Sequence, residues 1–381
     1  RWVSAARRRS RRRTGGHGAA PDRTDSSGRR APRYLLICAS VTTRPDDGSA
    51  PRRDAHHLQH LLAADLLDPT NYLDHAGLGV RLAARKSPVW GIAAAALRRA
   101  SDYDAVIALD DDVGVPLVAL GSLRRHRTPV LVVAVHTFSP RNRLLIGVLR
   151  LTRTLDAILC LSPHQAARLR TDYHVAADKL EVMHWPVDHR YFEPRPERPR
   201  PPLVVSAGLS HRDYDTLLQA TRGLDVDVAI EARSVWWIHP AQISETPHDR
   251  VRHSDLGTSA GLRDLYDDAT IVVVPLVDGP IPAGFSTIVE GMAMGRPVIT
   301  NSVAMAPGFI VDGVNGYLVP PADPDALRDR IASLLADPDT ARAVGRRGRA
   351  TVEEHLTLEH FGELILKRLR RHAGNEAASP I

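Results

Sequence analysis

Two cysteines in 381 residues set the first limit on this chain. Cys38 and Cys160 both lie inside apolar runs, LLICAS and AILCLS. Such placement marks buried strand residues in a reducing compartment. It leaves no disulfide framework and no four-cysteine zinc centre to build. Long uncharged apolar runs are also missing: none reaches the roughly 18 residues of a membrane span. LLIGVLRLTRTL (144–155) comes nearest, and Arg150 and Arg153 interrupt it, which reads as an amphipathic helix.

Residues 1–33 are poor in apolar side chains and hold no long apolar stretch. They therefore carry no secretory signal and cannot bury a core, so a disordered tail is expected. The tail holds eleven Arg and two Asp, and the remaining chain has 39 basic and 42 acidic residues. The formal net charge of +6 thus belongs to the tail, and the body is slightly acidic. A nucleic-acid-binding body is not expected; the tail alone has the charge to attract an anionic lipid or a nucleic acid weakly.

What is present is an alternation. Short β-branched runs follow helical stretches, the pattern of an α/β protein with parallel sheets covered by helices. Strands are expected at 33–40, 104–111, 128–136 and 157–162, with helices over 54–67 and 164–173 and LEVMHWPVD (180–188) closing the series. FEPRPERPRPP (192–202) is dense in Pro and Arg and reads as a linker. A second series follows: strands LVVSAG, DVDVAIEA, TIVVVPL and PVIT, a hairpin-like VDGVNGYLVP (311–320), and helices that include 323–338 and 358–372. The expected organisation is a tail (1–33), one Rossmann-like domain (34–191), the linker (192–202), a second Rossmann-like domain (203–357) and a final helix (358–373) that packs back on the first. Ligands of such sheets sit at the carboxyl ends of the strands, in the cleft.

The stretch GFSTIVEGMAMGRPVIT (284–300) places chemistry there. A helix starting near Phe285 offers unpaired amides and a positive dipole end, which suit a phosphate. Gly284 permits close approach, and Ser286 and Thr287 either cap the helix or donate to a phosphate oxygen. Phe285, Ile288, Val289 and Met292 form the apolar stripe. Glu290 points roughly opposite it, toward water or a cleft.

This stretch, with VDGVNGYLVPPADPDALRDRIASLLADP after it and VSAGLSHRDYDTLLQA and WPVDHRYFEP before it, resembles the retaining glycosyltransferases of the GT-B fold, family 4 class. The resemblance is densest over 203–357. It implies a fold of two Rossmann-like domains facing across a cleft, with sugar transfer from a nucleotide diphosphate donor to an acceptor hydroxyl, retention of configuration, and no cofactor or metal. It implies that Glu290 holds the ribose hydroxyls, that Arg212 pairs with the diphosphate, and that His136 lies near the transferred sugar. Gly208, Gly284, Phe285, Ser286 and Thr287 complete the implied donor site. Two departures stand out. Pro282 occupies the place of the family's first Glu, with Asp278 of the same loop as a substitute or a plain turn residue, and Leu209 stands where an Arg often follows the glycine.

The expected partners are a nucleotide sugar and an acceptor glycan, lipid-linked carrier or small alcohol held by loop 42–55. A cytoplasmic site with peripheral membrane contact is expected. Trp236 and Trp237 either stack on a base or pack. Asp110, Asp111 and Asp112 read as a solvated strand end rather than a metal site, and His56 and His60 lack a third ligand. The rival readings are an epimerase or hydrolase of the same fold and a non-catalytic nucleotide-sugar-binding protein.

Overall fold

The computed structural model describes residues 30–41, 48–122, 128–134, 155–196, 198–232, 244, 246–254, 256–279, 283–303 and 308–372. Its first half runs β1 (Tyr34–Ile37), α1 (Asp54–Leu62), β2 (Asp65–Leu67), α2 (Leu78–Lys86), α3 (Pro88–Arg99), β3 (Ala105–Ala108), α4 (Asp111–Gly121), β4 (Val130–Ala134), β5 (Ala157–Cys160), α5 (Pro163–Asp172) and β6 (Leu180–Val182). The second half runs β7 (Leu203–Ala207), α6 (Tyr214–Thr221), β8 (Asp227–Glu231), β9 (Val251–His253), α7 (Ser259–Asp268), β10 (Ile271–Val274), α8 (Phe285–Ala293), β11 (Val298–Asn301), β12 (Tyr317–Val319), α9 (Pro324–Ala336), α10 (Pro338–His355) and α11 (Leu358–His372).

Two six-stranded parallel sheets result, in the orders β2-β1-β3-β4-β5-β6 and β12-β11-β10-β7-β8-β9. Central strands such as AVIA, AILC, LVVSA and IVVV are buried throughout. Sheets covered by helices on both faces favour such runs over alternating ones. Successive residues still face opposite layers. Leu35 and Ile37 join one apolar cluster, while Leu36 and Cys38 join the other. Both cysteines are buried and free.

Several expected boundaries shift. The helix expected over 54–67 stops at Leu62, because Ala63 turns left-handed (φ 47°) and its amide closes on Gln59 and His60 carbonyls. Residues 65–67 then pair with β1. No glycine or proline marks that break in the sequence. The Asp110–Asp112 run is not a solvated strand end. Asp110 caps α4 by accepting from Val113 N at 3.0 Å and ties β1 to it by accepting from Ala39 N at 2.8 Å. Asp111 is buried in the first turn. Burial drives the Asp110 carboxyl up to about 7, against the two amides that favour its charge. The hairpin expected at 311–320 is a turn tied by Asn315, followed by β12 in parallel with β11.

The halves are joined by two crossings that run side by side. Val187 donates to Leu356 O at 2.9 Å, where the chain leaves the first half and where it returns. The returning helix α11 then packs Phe361, Ile365 and Leu369 into the cluster of Leu58 and Leu62 on α1. Arginines of the Pro-rich segment grip the end of α7: Arg195 reaches Asp264, Arg198 reaches Asp268, and Arg200 reaches Asp267 and Asp268.

Candidate active site at the carboxyl edge of the second sheet

Strand order sets this site. β7 and β10 are neighbours, so the loop leaving β7 meets the loop that leads into α8. The two are zipped together: Arg212 bridges Leu276, Asp213 N donates to Pro275 O at 2.9 Å, and Val277 N donates to His211 O at 3.0 Å. Asp213 then caps α6 through Thr216 N at 3.0 Å.

Gly208 (φ 98°) lets Arg212 fold back over the strand end. A Cβ at that position would lie 2.6 Å from Arg212 Nη2. The guanidinium spends its fork on Ala207 O (Nε, 2.9 Å), Ser210 O (Nη1, 2.8 Å) and Thr287 Oγ1 (Nη2, 3.1 Å). Burial lowers its proton affinity, and Tyr214, Tyr266 and Glu290 oppose that effect.

α8 starts after Gly284, whose left-handed backbone (φ 82°) no side chain caps. A Cβ there would approach Leu276 Cδ2 to 2.9 Å. The first helical bond is Ile288 N to Gly284 O, so the amides of Phe285, Ser286 and Thr287 precede the ladder. Neither hydroxyl caps the helix. Thr287 is buried and accepts from Arg212, and Ser286 is exposed. The Phe285 side chain is buried in the cluster that holds Met183 and Phe361. What Phe285 presents at the helix start is therefore its backbone.

One turn on, Glu290 is half-buried and accepts from Tyr266 Oη at 3.1 Å. Burial pushes its carboxyl up to about 7, and the Tyr266 hydrogen bond and the Arg212 charge act against that rise. Burial and the adjacent Glu290 push the Tyr266 hydroxyl well above its ordinary range. Tyr266 comes from α7, and nothing in its own segment marks it as a site residue.

The structure thus brings together Gly208, Arg212, Gly284, Thr287 and Glu290, with Tyr266 added. Asp278, two residues past the Leu276 bridge to Arg212, is exposed and accepts from the next amide, Gly279 N, at 3.0 Å. His60 is exposed, and no group of three potential metal ligands occurs among the described residues. His136, Pro282, Trp236, Trp237, residues 1–29 of the tail, 42–47 of the acceptor loop and 144–154 of the amphipathic run lie outside the described residues. The assembled groups offer a cation and helix-end amides beside a carboxylate. That set suits a ligand carrying both phosphate and hydroxyl groups.

Two parallel Rossmann-like sheets with this crossing pattern define the GT-B fold, and solved structures agree. Sucrose-phosphate synthase from Thermosynechococcus elongatus superposes with a TM-score of 0.70 at 18% identity, covering 91% of this chain and 100% of that one. Anabaena HepE, solved in complex with UDP-glucose, gives 0.65 at 15% identity, with 89% and 99% covered. Within that class, residues 243–337 match the family model of the glycosyl transferases group 1, which supports that family for the second half. An MMP alpha-(1->4)-mannosyltransferase of Mycolicibacterium hassiacum is 30% identical over 215 residues, 54% of this chain and 51% of that one. A D-inositol 3-phosphate glycosyltransferase of Segniliparus rotundus is 27% identical over 266 residues, 64% and 58%. The matched segments span about half the length of these curated relatives.

Proposed function

We propose that the protein transfers a sugar from a nucleotide diphosphate sugar to an acceptor hydroxyl, with retention of configuration. The observation that carries this reading is the convergence of Arg212, the α8 amide end and Glu290 at one sheet edge. In this reading Glu290 accepts from the ribose hydroxyls, while Arg212 and the α8 amides take the charge that develops on the leaving diphosphate. The leaving phosphate takes the acceptor proton, and positioning supplies most of the remaining rate. The donor is the only small molecule required besides the acceptor, a glycan, lipid-linked carrier or small alcohol. The relatives named as glycosyltransferases and the UDP-glucose complex of HepE support the donor class. The reading includes a cytoplasmic location, where the buried thiols stay reduced.

The test is calorimetric titration with UDP-, GDP- and ADP-sugars, followed by acceptor screening and NMR of the product anomer. Glu290→Ala and Arg212→Ala are each expected to lower donor affinity at least tenfold, since each removes a charge-assisted hydrogen-bonding group. A folded protein that binds none of the donors overturns the proposal. Pro282, in place of a family Glu, favours a second reading: donor binding without transfer. Tight donor binding with no turnover under any acceptor would select it. Donor turnover without an acceptor would select an epimerase or hydrolase.

A further inference from the structure

The exposed face of α2 does not look like the exposed face of a soluble helix. Leu78 and Leu82, one turn apart, are 76% and 53% exposed. Leu73, just before them, is 51% exposed. At 3.6 residues per turn, Arg81 and Arg85 lie on the same side as the two α2 leucines. The opposite side is spent on packing. Val80 is buried, and Ala84 approaches so closely that a Cβ on Gly91 of α3 would lie 2.9 Å from its methyl. Single exposed leucines are ordinary. Two on one turn-spaced row, set among arginines, are not.

Charge separates this region further. Residues 76–100 contain Arg81, Arg85, Lys86, Arg98 and Arg99 and no Asp or Glu, although the chain beyond residue 33 is acidic on balance. Asp74 and Asp102 are the nearest acids in sequence on either side. No ion pair joins Arg81, Arg85 or Arg98 to an acid among the described residues, whereas Arg99 is taken up by Asp65. The α2 face therefore offers alkyl groups and cations but no side-chain hydrogen-bond acceptor. A protein surface presents donors and acceptors of both kinds. A lipid surface asks only for apolar groups at acyl depth and cations at the headgroups, which arginine and lysine reach by extending their stems.

We infer that α2 is a peripheral membrane contact of the first half. It lies flat on an anionic bilayer, with Leu78 and Leu82 entering the headgroup–acyl boundary and Arg81 and Arg85 at the phosphates. This inference stands on α2 alone and does not depend on the sugar-transfer reading. With two leucines and a few cations the binding is reversible and salt-sensitive.

The experiment is flotation of the full chain with phosphatidylcholine vesicles, with and without phosphatidylglycerol, at low and high salt. Three proteins are compared: the wild type, Leu78→Ser with Leu82→Ser, and Arg81→Gln with Arg85→Gln. The wild type is expected to float only with anionic vesicles and to be released by salt. Each double variant is expected to lose about tenfold or more of the bound fraction while its thermal melt stays unchanged. Wild type that ignores anionic vesicles overturns the inference, as does equal binding to neutral ones. If both double variants float like wild type, another basic segment holds the membrane and the assignment to α2 falls.

Discussion

Glu290 titrates near 7 because burial disfavours its charge more than Tyr266 and Arg212 restore it. Its folded value lies above the ordinary 4.5, so the native state binds the extra proton between those two values. Stability from this group therefore falls as pH rises through that window. Glu290→Gln is expected to stabilise the protein by roughly 1–3 kcal/mol in urea titrations above neutrality, and to match wild type at acid pH. Donor binding runs the other way. The carboxylate accepts hydroxyls best when ionised, so wild-type affinity is expected to rise through pH 7, while the Gln variant binds weakly at every pH. Tyr266→Phe removes the donor that favours the charged form. Its binding curve is expected to shift to higher pH, a displacement that calorimetry over a pH series would read. An unshifted curve would mean that Tyr266 only packs.

The orientation of α8 depends on α10. Gly345 of α10 sits against the turn that ends α8, where an added Cβ would overlap the Gly295 carbonyl. One turn further on, Arg349 Nη1 donates to Ala293 O at 2.7 Å, and also to His189 O at 2.9 Å and Phe192 O at 2.8 Å. α10 therefore holds the C-terminal end of the helix whose N-terminal end forms the site. Gly345→Ala must push the two elements apart, because the obstacle is backbone rather than a flexible side chain. A loss of about 1–3 kcal/mol is expected in denaturant melts, with weaker donor binding at temperatures where the variant is still folded. An unchanged melt would show that the turn after α8 yields freely.

Across the whole molecule, the two halves meet at an ionic strap. Arg52, entering α1, donates to Asp188 through Nη2 (2.8 Å), Nε (3.1 Å) and its own backbone amide (2.7 Å), and to Glu359 of α11 through Nη1 (3.2 Å). One side chain thereby ties the outgoing crossing to the returning one. Burial pushes the Asp188 carboxyl up, but its bonds to Arg52 outweigh this and hold it below the usual range. A depressed carboxyl contributes stability that is present at neutral pH and lost as pH falls through its folded value. Arg52→Ala strands Asp188, which is buried, and is expected to cost about 3 kcal/mol at neutral pH. The deficit should shrink on acidification, as urea melts across the acid range would show. A deficit that does not change with pH would assign the loss to packing rather than charge.

The sequence by itself determined the class and many of the elements, though not helices α2, α3, α4 and α10 or strands β2 and β9. Runs such as TIVVVPL and AILCLS have the composition of doubly covered strands, and the 285–293 stripe has helical period. Pro324 after the Asp323 cap starts α9 where expected, and the α/β alternation led directly to two parallel sheets. Only the tertiary structure decided which side chains meet. Arg212 reaches Thr287 across 75 residues, Tyr266 reaches Glu290 across 24, and Asp110 reaches Ala39 across 71. Those meetings follow from β7 lying beside β10 and β1 beside β3, an order set by packing the whole sheet. The left-handed turn at Ala63 is of the same kind: an alanine adopts it because β2 must turn back to pair with β1. Periodicity is fixed by neighbours along the chain and can be read there. Convergence is fixed by neighbours in space, which the chain acquires only on folding.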